Sequence, residues 1–352
     1  MSRRSSLTEA ILHPLLAWYE ENKRDLPWRR TNDPYRIWLS EIMLQQTRVE
    51  AVIPYYERFL AACPTVHDLA AADEQTYLKL WEGLGYYSRV RNLHKAACVV
   101  CEEYGGEFPA DHAALLKLPG IGDYTAGAVG SIAFGLREPA VDGNVLRVLA
   151  RIDEDFRPVD DAKVKKDMRT TVAAIIPDDA PGAFNQALME LGATVCLPNG
   201  TPKCGDCPVR HLCKAAEHGT ALLLPRKAPK KGRTVVERAV VVFRCGGLVG
   251  LRRRPDAGLL AGLWELPAYE PAPAPDALRA ILREEGFALE KLQSLRPAKH
   301  IFTHIEWHMT GYYAELSAPH PSLTWVTPAE LRGAYALPSA FRAFLQVIEE
   351  AN

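Results

Sequence analysis

The sequence has no uncharged apolar run near the roughly 18 residues that a membrane-spanning helix needs, which argues against a helical membrane protein. It also has almost no excess charge of one sign, since 42 Lys and Arg stand against 43 Asp and Glu for a net charge of −1. Cutting the chain at residue 233 leaves both parts near neutral. A polyanion could be held only by local patches and oriented backbone groups, because the overall field is weak. There is no internal repeat. The one biased stretch, Pro271-Ala272-Pro273-Ala274-Pro275, is a short rigid loop. The basic start Met1-Ser2-Arg3-Arg4 is followed by Ile11 to Leu16, too short and interrupted for a secretory leader. A cytoplasmic chain is expected.

What is present is ordinary globular composition, 48% hydrophobic and 24% charged, over 352 residues. At ~150 residues per domain this length favours two domains. From residue 8 to about 217 the apolar residues recur at helical spacing, as in Trp38, Leu39, Ile42, Met43 or Leu93, Ala96, Ala97, Val100. That part reads as all-α. Beyond it the runs Val235 to Phe243, Leu248 to Leu251 and Ile301 to Leu316 read as strands, with helices expected over Asp276 to Glu285 and Ser339 to Glu350. The expected division is a helical domain over 1–220, a basic Pro-containing linker over 221–234 and an α+β domain over 235–352. Arg226, Lys227, Lys230, Lys231 and Arg233 beside Pro225 and Pro229 form the one visible basic patch. It reads equally as a solvated linker or a phosphate contact.

Four of the eight cysteines crowd together as Cys196-x7-Cys204-x2-Cys207-x5-Cys213. Clustered thiolates in a long chain of this kind point to a metal rather than a disulfide framework. Four sulfur donors suit zinc or a [4Fe-4S] cluster, and spacing alone does not separate them. Cys98 and Cys101 lie in an apolar helical run and read as buried core thiols; Cys63 and Cys245 read as structural.

Leu118-Pro119-Gly120-Ile121-Gly122-Asp123-Tyr124 places a Gly-rich turn before a helix. Glycines at 120 and 122 permit positive φ and let backbone N–H groups approach a phosphate. The string is the signature of a helix-hairpin-helix DNA-binding element, over about 114–130. In Trp38 to Thr47, Glu41 stands among apolar neighbours, with Gln45 four residues on over the same helical face. A carboxylate so placed should have a raised pKa and can hold the proton a general acid needs. Asp142 precedes the apolar run Val145 to Leu149, so it reads as an N-cap kept ionised by the helix dipole. One protonated acid with one ionised carboxylate is the usual pair for cleaving a glycosidic bond.

With these strings and Arg24-Asp25-Leu26-Pro27-Trp28-Arg29, Gly83 to Arg89, Val141 to Arg151 and Phe184 to Ala193, nearly the whole chain resembles the adenine DNA glycosylase family, within the helix-hairpin-helix superfamily that includes endonuclease III. The resemblance implies a helical barrel packed on a [4Fe-4S] subdomain ligated by Cys196, Cys204, Cys207 and Cys213, although the family usually has six residues where this chain has seven between the first two. It implies that Glu41 protonates N7 of a flipped adenine and that Asp142 stabilises the cationic sugar. Tyr124 and Asn144 would line that site, and Arg24, Leu26, Trp28, Arg29, Gln186 and Met189 would form the base pocket. Gln46 and Tyr86 would wedge into the base stack, and Gly120 and Gly122 would meet the DNA backbone. Relatives that also cut the strand carry a Lys where this chain has Tyr124, so a monofunctional enzyme is expected.

The second domain resembles the Nudix fold, most clearly in Gly258 to Pro267, but Ala280 and Arg283 stand where two metal-binding glutamates belong. Phe302, Thr303 and His304 match the family's 8-oxoguanine-reading Phe-Ser-His loop, with a methyl added at 303. His300 and His308 read as ordinary strand polarity. The expected partner is double-stranded DNA bearing adenine opposite 8-oxoguanine or guanine, met by a monomer at a bacterial-type nucleoid. The rivals are an endonuclease III-like glycosylase and lyase, a non-catalytic iron-sulfur DNA-binding protein, and a Nudix pyrophosphatase with a helical appendage.

Overall fold

A computed structural model describes residues 3–229 and 232–350. The chain forms two compact units, one from residues up to 71 with Asn92–Pro229, the other from Ala72–Arg91 with the residues from 232 on. Residues 72–91 lie inside the helical stretch in sequence yet pack with the second unit. Lys230 and Lys231 of the basic patch lie outside the described residues. No described helix is long and apolar enough to cross a membrane.

The first unit is all helix, and its ends are set by local chemistry. Asp33 caps Pro34–Leu44 through Tyr35 N, with Pro34 at the first position where its missing N–H costs nothing. Asp142 caps Gly143–Ile152, and Gly135 ends Asp123–Phe134 in the left-handed region at φ +66°. Helix Gly143–Ile152 is buried from Val145 to Ile152 and packs on Pro181–Thr194 through Val148, Leu149, Phe184, Leu188 and Leu191. Two glycines let the backbones meet. A Cβ at Gly127 would lie 2.2 Å from Pro139 O, and one at Gly192 would lie 2.5 Å from Asn144 Cβ.

The second unit holds a mixed sheet of seven strands: β1 Thr234–Cys245, β2 Leu248–Arg253, β3 Trp264–Glu265, β4 Ala268–Tyr269, β5 Leu289–Ile301, β6 Ile305–Leu316 and β7 Thr324–Val326. The main path runs β3-β2-β1-β6-β5, with β4 beside β1 and β7 beside β2. β1 and β6 pair in parallel from Thr234↔Ile305 to Arg244↔Glu315. Alternate β1 residues serve opposite faces, as period two requires. Val240 and Val242 pack with Phe341 and Phe344, whereas Val241 and Phe243 pack with Leu278 and Leu282 of helix Pro275–Glu284.

The run expected over Ile301 to Leu316 is a strand from Ile305 onward, but its first residues form a hairpin corner. β5 ends at Ile301, residues 302–304 turn, and β6 begins at Ile305. β5 had no sequence signal because its burial follows no two-residue alternation and its pairing with β6 is irregular between Leu295 and Ala298, around Pro297. The last expected helix starts with a 3-10 turn over Ser339–Phe341 before Arg342–Glu350.

Candidate active site

A groove of about 1560 Å³ crosses the first unit. Helix Pro34–Leu44 brings Glu41 to it, only 6% exposed. Helix Asp123–Phe134 brings Tyr124, whose hydroxyl donates to Glu41 Oε2 at 2.6 Å and stands 3.3 Å from Met189 Sδ. Burial, opposed by the Tyr124 hydrogen bond and Arg29 and aided by the nearby Asp142, pushes the Glu41 carboxyl up to about 7. Glu41 is therefore a carboxyl that carries a proton part of the time at neutral pH. Burial also raises the Tyr124 phenol well above its ordinary value, so it remains a neutral donor.

Asp142 caps its helix as expected, Oδ1 accepting from Asn144 N at 2.9 Å and Val145 N at 2.8 Å. Asn144 Nδ2 donates to Oδ2 at 2.7 Å. Burial raises its pKa from the ordinary value, while these bonds and the Arg147 charge oppose the rise and favour the carboxylate. Asn144 is in turn held by Arg147 Nη2 at 2.8 Å, and the same guanidinium reaches Gly192 O and Cys196 O.

The loop over 24–29 and helix Pro181–Thr194 supply the pocket walls. Arg24, Leu26, Trp28, Arg29, Gln186 and Met189 all line the groove, as do Gln46, Gly120 and Gly122. The two glycines differ from each other, and only Gly120 takes the positive φ allowed for both. Gly120 has φ +77°, and a Cβ there would lie 2.7 Å from Asn92 Cβ. Gly122 is extended, with open space where a side chain would project, and serves as the bare N-cap of helix Asp123–Phe134. Gln46, at φ +58°, holds the left-handed conformation that non-glycine residues rarely adopt. Lys165, Lys166 and Arg169 of helix Ala162–Ile175, with Lys227, add positive charge to the groove.

Cys196, Cys204, Cys207 and Cys213 line one small cavity with Arg151, whose Nη1 donates to Cys196 Sγ at 3.1 Å. Burial pushes the Cys207 thiol up to about 11 and raises Cys213. The thiols surround the cavity rather than meet at a point: among the described residues no three His, Cys, Asp or Glu side chains form a group that could hold a single ion. Cys98 and Cys101 are half-buried rather than core, and Cys101 Sγ lies 3.4 Å from His67 Nδ1.

A model of the HhH-GPD superfamily of base excision DNA repair proteins matches residues 39–174, and a NUDIX domain model matches 238–347. The adenine DNA glycosylase of Rattus norvegicus is 36% identical over 97% of this chain and 78% of its own length. The chain belongs to the adenine DNA glycosylase family. The human adenine DNA glycosylase is also 36% identical, over 94% of this chain and 73% of its own. Among solved structures, a thermostable thymine-DNA glycosylase superposes with TM-score 0.56 at 30% identity, covering 62% of this chain and all of that one. The glycosylase unit thus has the endonuclease III fold, followed by a Nudix-like domain, and the enzyme is a hydrolase of N-glycosyl bonds.

In the second unit of this glycosylase, Phe302, Thr303 and His304 form the β5–β6 corner. Phe302 packs on Trp307 with ring centroids 4.8 Å apart, while Thr303 and His304 are exposed. Thr303 Oγ1 lies 2.7 Å from the hydroxyl of Tyr86, which is 48% exposed and, like Gln46, in the left-handed region at φ +47°. On the Nudix helix Ala280, Arg283 and Glu284 are exposed, and Glu285 accepts from the Tyr269 hydroxyl. His300 packs on Phe302, and His308 Nε2 sits 2.7 Å from Glu306.

Sequence reasoning missed Arg147 and Glu190. Both are charges set in apolar helical runs, Val145-Leu146-Arg147-Val148 and Leu188-Met189-Glu190-Leu191, and a charge on a buried helical face is a signal that it has a partner.

Proposed function

We propose that this enzyme hydrolyses the N-glycosidic bond of adenine paired with 8-oxoguanine or guanine in double-stranded DNA, leaving an abasic site and an unbroken strand. The observation that carries the reading is Glu41, a buried carboxyl at about 7 bonded to a phenol, lining one groove with a hydrogen-bonded Asp142.

A base turned out of the stack, at an unstacking cost of a few kcal/mol, enters between Trp28, Leu26, Gln186 and Met189. Protonated Glu41 donates to N7 and makes adenine a better leaving group. Asp142 faces the sugar as positive charge develops, its orientation fixed by Asn144 and the helix N-terminus. A water then completes hydrolysis. Tyr124 orients the acid, and a phenol cannot form the Schiff base that strand cleavage by elimination needs. Gly120 and the bare N–H groups after Gly122 suit phosphate contacts, supplemented by Lys165 and Lys166. The exposed corner at Thr303, beside Tyr86, is the reader of the opposite base.

Four thiols around one cavity, with a guanidinium on Cys196, fit a [4Fe-4S] cluster held by Cys196, Cys204, Cys207 and Cys213. When bound it would staple the loop over 196–213 against helix Gly143–Ile152. A brown protein whose visible absorption bleaches on oxidation is the expected sign, and a colourless zinc protein would refute the assignment.

The decisive test is single-turnover cleavage of duplexes with one adenine opposite 8-oxoguanine, guanine or thymine, developed with and without alkali. Breaks only after alkali, fastest opposite 8-oxoguanine, are expected. Breaks without alkali would return the lyase reading, and absent adenine release would leave a binding protein.

A further inference from the structure

Glu190 is the most completely buried charge beside the groove, with no exposed surface. Its Oε1 accepts from Arg24 N at 3.0 Å and Arg24 Nε at 2.8 Å; its Oε2 accepts from Arg24 Nη2 at 2.8 Å and Arg29 Nη2 at 2.7 Å. Arg29 Nη1 also reaches back to Arg24 O at 3.1 Å, so both arginines and the loop between them close on one carboxylate. That loop carries Leu26 and Trp28 into the groove, where Arg29 faces Glu41.

We propose that Glu190 is a positioning residue of the base pocket, which holds Arg29 away from Glu41 so that the acid keeps its proton. The inference rests on the reading of Glu41 as general acid. Arg29 touches Glu190 at 2.7 Å and acts on Glu41 only at longer range, and a freed guanidinium would be drawn toward the carboxylate that remained. The ionisable groups facing Glu41 are Tyr124 from helix Asp123–Phe134, Asp142 before helix Gly143–Ile152, and Arg29. Among these Arg29 is the one cation; Glu190 is its carboxylate partner, with Arg24 O accepting from it and the Tyr19 ring 5.5 Å from its guanidinium. An Arg29 to Glu41 ion pair would fix Glu41 as a carboxylate, useless for protonating a base. Holding the 24–29 loop is the second consequence of the same four bonds.

The test is the pH dependence of single-turnover adenine release from a duplex with adenine opposite 8-oxoguanine. Release by the unaltered enzyme should fall as pH rises through about 7, where Glu41 loses its proton. In Glu190→Gln this alkaline limb should move down by about one unit, the effect of an opposite charge drawn within contact. Adding Arg29→Gln should bring the limb back to or above its original position, although with weaker binding. Glu190→Asp, which keeps the charge and retracts it by one carbon, should move the limb the same way by less, and serves if Glu190→Gln folds poorly. A uniform loss of rate in both Glu190 variants with the limb unmoved would reduce Glu190 to a structural role and overturn the inference. Failure of the unaltered enzyme to release adenine would instead sink the functional reading itself.

Discussion

Two buried glutamates beside the same groove end with opposite pKa shifts. Glu41, 6% exposed, has one phenol as its direct partner and is pushed up to about 7 by loss of water. Glu190, with no exposed surface, has two guanidinium groups and a backbone N–H, and is held down at about 2. Burial raises both, and only the charge of the partners decides the outcome. One carboxyl is thereby available for proton transfer and the other for fixing a loop. The groove separates chemistry from architecture by choosing a neutral donor for the first and cations for the second.

The largest expected effect comes from removing the titrating side of this contrast. Glu41→Gln should lower single-turnover base release by about a thousandfold, within the ~10²–10⁴ range of general acid catalysis, while duplex binding in a gel-shift assay changes little; unimpaired turnover would remove Glu41 from the acid role. Next is the cost of protonating the other glutamate. With its folded pKa near 2 against an ordinary value of 4.5, Glu190 contributes roughly 3 kcal/mol above pH 4.5, lost as pH falls from about 4.5 toward 2. Urea unfolding should show that loss in the unaltered protein and little of it in Glu190→Gln.

A finer test exchanges the phenol. Because the Tyr124 hydroxyl opposes the upward shift of Glu41, Tyr124→Phe should move the alkaline limb of release up, by about half a unit to one unit, the reverse of the Glu190 variants. A downward shift would contradict the assignment of partners. The smallest effect is expected far from both glutamates. Thr303→Val keeps shape and loses the hydroxyl that meets Tyr86, so the preference for 8-oxoguanine over guanine should fall several-fold, about 1 kcal/mol, with little change in the rate on the guanine mismatch.

What the sequence disclosed was local. Asp142 could be read as a cap because its partners are two and three residues away, and the cysteines could be grouped because they are close along the chain and chemically distinctive. Glu41 was legible as a charge among apolar neighbours. Glu190 has the same signature, but its partners Arg24 and Arg29 lie 166 and 161 residues earlier, and no spacing rule spans that distance. The order of the family strings indicated the endonuclease III fold followed by a Nudix-like domain, which the comparisons bear out. The path of the sheet was less accessible. β5 lacks alternation, and the corner at Phe302 was absorbed into one long expected strand because Ile301 and Ile305 look alike on either side of it.

The segment Ala72–Arg91 also constrains how the chain can be made. Its contacts fall to residues such as Leu331, whose carbonyl receives Lys79 Nζ across 252 positions, and Leu337, whose N–H meets Glu82. At translation rates of roughly 5–20 residues per second, those partners emerge about 10–50 s after the segment does. The helical unit is complete in sequence long before then, yet one stretch in its interior still awaits its partners. A nascent chain released early would carry that stretch undocked, so truncation within the last strands and helices should be felt at residues 72–91 as well as at the site of the cut.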